Sequence, residues 1–128
     1  MAPSPHDKEG MKTRELGALG EALVADYLLR RGFEIVARNL RLGRLELDLI
    51  ARQGERLIVC EVKTRKRLSA GDPLAGFSAQ KLGRIHEATI RYIHEFSPAF
   101  GELRIDAALV LVDPIKKRAK IRYLEGVL

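Results

Sequence analysis

"LELDLIARQGERLIVCEVKTRKR", Leu45–Arg67, is the stretch that decides how this chain is read. "LELDLIAR" alternates apolar and polar residues, the period of a half-buried strand, and "RLIVCEVKT" reads as a second strand. Between them, Gly54-Glu55 suits a two-residue type II′ hairpin turn, with glycine at the first central position. That turn sets a register. Arg52 faces Leu57, Ile50 faces Val59, Asp48 faces Glu61 and Glu46 faces Lys63. Directly opposed side chains share a face, with Cβ atoms ~4.5–5.5 Å apart. A one-residue slip or a bulge would separate them.

Two carboxylates that close repel one another, so something should compensate them. A hard cation such as Mg²⁺ or Mn²⁺ would, because it takes carboxylate oxygens and keeps waters for a phosphate substrate. Lys63 would add a positive charge beside it, able to orient a water or to stabilise charge developing on a phosphate. An E-x-K triplet in a strand is common, and alone it reads as a solvated pair on a polar face. The pairing with Asp48 brings the metal-site reading level with that one.

Outward from the hairpin, Thr13 to about Arg31 carries Leu16, Leu19, Leu23, Val24, Tyr27 and Leu28 at helical spacing, with Gly32 as the stop. Glu21 lies seven residues before Leu28, near the border of the apolar stripe. It could reach over the sheet toward the hairpin acids, although periodicity alone favours a carboxylate that turns to solvent at the helix edge. "FEIVARNLRL" reads as a strand broken by Gly43. Ser78 is a candidate N-cap, with Phe77 and Leu82 as a staple, for a helix that runs to about Phe96. Its stripe is Leu82, Ile85, Thr89, Tyr92, Ile93 and Phe96. "ELRIDAALVLV" is nearly all apolar after Asp106 and reads as a central strand covered on both faces. "KKRAKIRYLEG" reads as a basic edge strand whose charges discourage edge pairing. The order is helix, three strands, helix, two strands, an α/β arrangement with helices flanking a mixed sheet.

The 128 residues suit one domain, read as 13–128 after a flexible tail over 1–12. With 46% apolar and 31% charged residues, the composition is that of a soluble globular protein. No apolar run approaches the ~20 residues needed to span a bilayer, and residues 1–13 contain no signal-peptide core. A single cysteine, Cys60, excludes a disulfide within the chain, fits a reducing cytoplasm and reads as a small core residue. The net charge of +6 favours an anionic partner such as nucleic acid. Trp is absent and aromatics are few, so backbone phosphate contacts are expected before base stacking. "KTRKR", Lys63–Arg67, is either a phosphate-binding rim or a solvated basic loop, and Arg65 could instead neutralise the acids. "RLSAGDPLAGF" reads as a mobile connection with some part in binding. His86 and His94 on the second helix lack a third histidine and read as packing or surface residues. No phosphate-cradling GxxxxGK[ST] and no dinucleotide fingerprint occurs.

"GALGEALVADYLLRRGFEIVARNLR", "LELDLIA" and "CEVKTR" together resemble the YraN-like family of small endonuclease-like proteins, over about Gly17 to Asp106. That family is similar to the PD-(D/E)XK nuclease superfamily, whose restriction-endonuclease-like αβββαβ core matches the order read above. Archaeal Holliday-junction resolvases share the layout of helix Glu, strand Asp and E-x-K. The resemblance implies that Asp48 and Glu61 are ligands of Mg²⁺ or Mn²⁺ and that Glu21 supports the metal. It makes Lys63 the motif lysine and Lys81 a phosphate contact, with Arg65, Lys66 and Arg67 beside them. Arg104 and Asp106 match the R-F-D strand, with Ile105 in place of Phe. Leu45 stands where the family has Gly, and Leu47 where the superfamily has Pro. The implied activity is metal-dependent endonucleolytic hydrolysis of phosphodiester bonds in DNA or RNA, DNA before RNA. The alternative is an inactive nucleic-acid-binding module on the same scaffold, since a fold alone does not establish catalysis. A homodimer is compatible with the resemblance, but the sequence marks no interface.

Overall fold

The computed structural model describes residues 13–66 and 76–128. Its elements are α1 (Thr13–Arg30), β1 (Glu34–Leu42), β2 (Leu45–Gln53), β3 (Arg56–Arg65), α2 (Ala79–Phe96), β4 (Glu102–Asp113) and β5 (Arg118–Leu124). This is the expected αβββαβ order, followed by the expected edge strand. The tail over 1–12, together with Arg67 and most of the "RLSAGDPLAGF" connection, lies outside the described residues.

The five strands form one mixed sheet in the order β1-β2-β3-β4-β5. β1 to β3 form an antiparallel meander. β4 lies parallel to β3, as the α2 crossover between them allows, and β5 is antiparallel to β4. The two hairpins turn on Gly43 (φ 67°) and Gly54 (φ 59°), while the residue after each has an ordinary negative φ. That combination fits the type II′ turn expected from "RQGER".

Strand alternation divides the sheet's side chains between two cores. Leu49, Ala51, Ile58, Cys60, Ala108 and Val110 pack with Leu16, Val24, Ala25 and Leu28 of α1. Leu42, Leu47, Ile50, Leu57 and Val59 pack with Ile85, Ala88 and Tyr92 of α2 on the other face. α1 ends at Gly32 (φ 86°), the predicted stop. Ser78 caps α2 as predicted, its Oγ accepting from Lys81 N at 3.2 Å. Phe96 does not join the buried stripe. It is 55% exposed and stacks on Tyr92 with ring centroids 5.2 Å apart, while Ala88 takes the core position.

β4 corrects another expectation. It is an interior strand, but only one of its faces is sealed. Ala108, Val110 and Val112 are buried toward α1, whereas Leu109 and Leu111 on the opposite face stay half-buried. Among the described residues, α2 packs chiefly against β1 and β2, with Leu103 and Ile105 at the start of β4, and leaves Leu109 and Leu111 further along β4 outside that core.

Candidate functional site

β2 and β3 hold the predicted register from Gln53–Arg56 to Leu49–Cys60, with Arg52 opposite Leu57 and Ile50 opposite Val59. The ladder stops one step short of the acids. Leu47 packs in the α2 core, whereas Leu49, two residues on, packs in the α1 core, so the alternation slips at Asp48. From there side chains replace the backbone pairing. Asp48 Oδ2 accepts from Val62 N at 2.9 Å, and Glu61 Oε2 accepts from Asp48 N at 3.1 Å. Each acid thus anchors on the other's strand through one carboxylate oxygen. Glu46 and Lys63, expected to face each other, do not pair across β2 and β3. Glu46 instead lies opposite Arg41 of β1.

Glu61 is 4% exposed and within hydrogen-bonding reach of the Asp48 carboxyl. Burial pushes its pKa up to about 9, and the charge and carboxyl hydrogen bond of Asp48 push the same way. The Asp48 N–H and the charge of Lys81 oppose the shift only in part. A buried Glu61 beside a half-buried Asp48, with one oxygen of each held by an N–H, has the hard donor chemistry that Mg²⁺ or Mn²⁺ takes. Among the described residues no group of three His, Cys, Asp or Glu gathers as a metal cluster. The two carboxylates could hold a cation only with its remaining positions filled by water or phosphate.

Glu21 reaches the site from α1 instead of turning to solvent. Its pKa is raised by burial first, and by the charges of Asp48 and Glu46, while a hydrogen bond with Asn39 lowers it. The approach depends on Gly20. A Cβ there would lie 1.8 Å from Thr64 Oγ1, so only glycine lets α1 sit this close to β3. Thr64 Oγ1 is buried against it without a hydrogen-bond partner.

Asn39 is the residue that sequence reasoning missed. The β1–β2 pairing runs from Leu42–Leu45 through Leu40–Leu47 to Arg38–Leu49, which places Asn39 opposite Asp48. The backbone of Asn39 is left-handed there (φ 48°), a conformation that Asn tolerates better than most residues. The same two-residue turn argument used at Gly54-Glu55, applied to Gly43-Arg44, would have found it.

Lys63 is half-buried on the same face as Glu61. Burial lowers its pKa, and the neighbouring Lys81 and Arg65 charges lower it further. Lys81 sits in the first turn of α2 with Nζ 5.4 Å from the Phe77 ring centre. A Cβ on Gly76 would come within 3.0 Å of the Lys63 side chain and 3.2 Å of the Arg65 guanidinium. The basic residues thus gather beside the acids. Lys66 follows the end of β3 and is half-buried.

Arg104 and Asp106 are structural. Asp106 is fully buried, and Arg104 Nε donates to its Oδ1 at 2.8 Å and Nη2 to its Oδ2 at 3.1 Å. Gly126 N donates to Oδ1 at 2.7 Å and the Tyr123 hydroxyl to Oδ2. Tyr123 stacks on Tyr27 of α1, whose ring lies 3.6 Å beneath the Arg31 guanidinium. These contacts tie α1, β4 and β5 together. Cys60 is buried as expected, its thiol pushed upward by burial, which makes it inert. His86 Nε2 lies 3.2 Å from Leu128 O.

Comparison with known proteins gives consistent family matches. The chain is 39% identical to a UPF0102 protein of Renibacterium salmoninarum over 91% of this chain and 98% of that one. It is 36% identical to a UPF0102 protein of Dictyoglomus turgidum over 89% and 97%. Among solved structures it is similar to an XisH family protein from Nostoc punctiforme, with TM-score 0.46 and 16% identity, covering 82% of this chain and 98% of that one. The sequence model of an uncharacterised family matches residues 20–110. The chain belongs to that family, UPF0102.

Proposed function

We propose that the protein is a metal-dependent nuclease of the PD-(D/E)XK type, hydrolysing phosphodiester bonds in DNA or RNA. The observation that carries this reading is the interlocked Asp48–Glu61 pair, a buried and a half-buried acid held together beside a lysine. Asp48 and Glu61 would hold Mg²⁺ or Mn²⁺. Such a cation, when bound, supplies Lewis-acid polarisation of a phosphate oxygen and lowers the pKa of water. Lys63, with its desolvated ammonium facing the same side as Glu61, orients water or stabilises charge on the transferred phosphate. Glu21, held by Asn39, faces Asp48 and would support the water shell of the cation. Lys81, Arg65 and Lys66 seat the phosphate backbone, a task for which basic side chains suffice.

A non-catalytic nucleic-acid-binding module is the second reading. One observation favours it: among the described residues no group of three His, Cys, Asp or Glu is placed to hold a metal ion together, Glu21 included. Cleavage of duplex, branched and single-stranded DNA, and of RNA, with Mg²⁺ or Mn²⁺ separates the two. The nuclease reading expects cleavage that Glu61→Ala and Lys63→Ala abolish. Wild-type protein that binds nucleic acid but cuts no more than Glu61→Ala would leave only the binding module.

A further inference from the structure

We propose that the half of the α2-side sheet face left open by α2 is a track for a nucleic-acid backbone, lined by Lys63 and Arg65 on β3 and by Arg118, Lys120 and Arg122 on β5. The proposal extends the nuclease reading and rests on it for the nature of the partner.

The pairing registers place these residues in rows. Lys63 lies beside Leu109, and Leu109 beside Arg122. Arg65 lies beside Leu111, and Leu111 beside Lys120. Asp113 and Arg118 form the next pair outward. Glu61 starts the series, with Ala107 and Leu124 in its row. Alternation puts all five cations on the face that carries Glu61, while Ile121 and Tyr123 of β5 pack on the α1 side. The strip therefore begins at the acid pair and ends at the sheet edge. Its cations are ~6.6–7 Å apart along each strand, and the β5 column stands ~10 Å from the β3 column.

Charge decides the occupant. Arg118, Lys120 and Arg122 are exposed, and none forms an ion pair among the described residues. Asp113, the acid paired with Arg118 at the outer end, is turned to local use, its Oδ1 accepting from Ile115 N and Lys116 N at 3.1 Å. The strip is thus strongly positive on a chain that is already +6 overall. Edge protection accounts for charge on β5, but not for its lying on the face of Lys63 and Arg65. Half-buried Leu109 and Leu111 give the strip a low apolar floor between two cationic columns, suited to a sugar-phosphate strand.

The test is binding of labelled duplex DNA, duplex RNA and single-stranded DNA in EDTA, over a salt series, by the full chain and by Arg118→Gln/Lys120→Gln/Arg122→Gln. The expected result is an affinity loss of at least ~10-fold and a salt slope shallower by about 2–3, since each lost phosphate contact removes ~0.7–0.9. Lys120→Glu alone weakens binding in the same direction and guards against misfolding of the triple variant. Arg14→Gln, on the far helix, leaves the slope unchanged. Unchanged affinity and slope in the triple variant overturn the track while leaving the acid site standing. Weakened binding with no cleavage by wild type supports the track and removes the nuclease reading. A wild-type dimer in sedimentation that the triple variant dissolves makes the face a self-interface and overturns the proposal.

Discussion

Glu61 is where the protein's chemistry is most exposed to measurement. Its carboxyl is held far above the 4.5 of an ordinary glutamate, at about 9, by burial and by Asp48. A raised acid binds its proton more tightly folded than unfolded. Its contribution to stability is therefore full below about pH 4.5 and is lost as the pH rises toward about 9. In EDTA, the wild-type melting temperature should fall across that window, and Glu61→Gln should flatten the fall. At pH 8 the variant should be the more stable protein, by about 1–3 kcal/mol, because its amide can donate to Asp48 without holding a proton that the unfolded glutamate gives up at this pH. Saturating Mg²⁺ should raise the wild-type melting temperature more at pH 8 than at pH 5 and leave Glu61→Gln unmoved. Asn39 makes the complementary case. Asn39→Ala should weaken Mn²⁺ binding by about 10-fold, the usual scale for a group that orients a ligand. Asn39→Gly, which keeps the left-handed backbone but lacks the amide, should be equally weak. A Gly variant that binds like wild type would show that the backbone conformation alone matters there.

At the scale of elements, the site depends on α1 pressing onto β3 through Gly20. Gly20→Ala places a methyl 1.8 Å from Thr64 Oγ1 and should cost about 1–3 kcal/mol through overpacking. Thr64→Ala should recover part of that loss. In thermal melts the double variant should therefore lie above the sum of the two single changes. The β2–β3 hairpin was the most legible element, because Gly54-Glu55 fixes a register and a register names partners. The detail it could not give is the slip at Asp48. Backbone pairing ends there because the Asp48 side chain takes the Val62 N–H itself, a competition that hydrophobic periodicity does not record. Glu21 was left ambiguous by periodicity, which sees a helix edge but not that Asp48 and Asn39 lie beside it. Arg104 and Asp106 were visible as a pattern, but their structural role was not. It appears only when Tyr123 and Gly126 close around the carboxylate.

For the whole molecule, element order and the mixed sheet follow from alternating and helical stretches of ordinary length, so the sequence carried them. The covering of the sheet does not follow in the same way. β4 reads as sealed because its residues are apolar, yet α2 lies over β1 and β2 and leaves Leu109 and Leu111 partly open. Apolar content states what could be buried; helix position decides what is. No described helix is long and apolar enough to cross a membrane. The charge of the chain is also arranged by the fold. Residues from Lys63 to Arg122, distant in sequence, share one face with the acid pair.

The central claim is that Asp48 and Glu61 together hold a divalent cation. Calorimetric titration of Mn²⁺ into wild type, Asp48→Asn and Glu61→Gln at pH 8 tests it most directly. A saturable site in the wild type that either substitution abolishes, in variants that melt cooperatively, is the predicted result. A wild type that takes up no Mn²⁺, or an uptake that survives both substitutions, contradicts it.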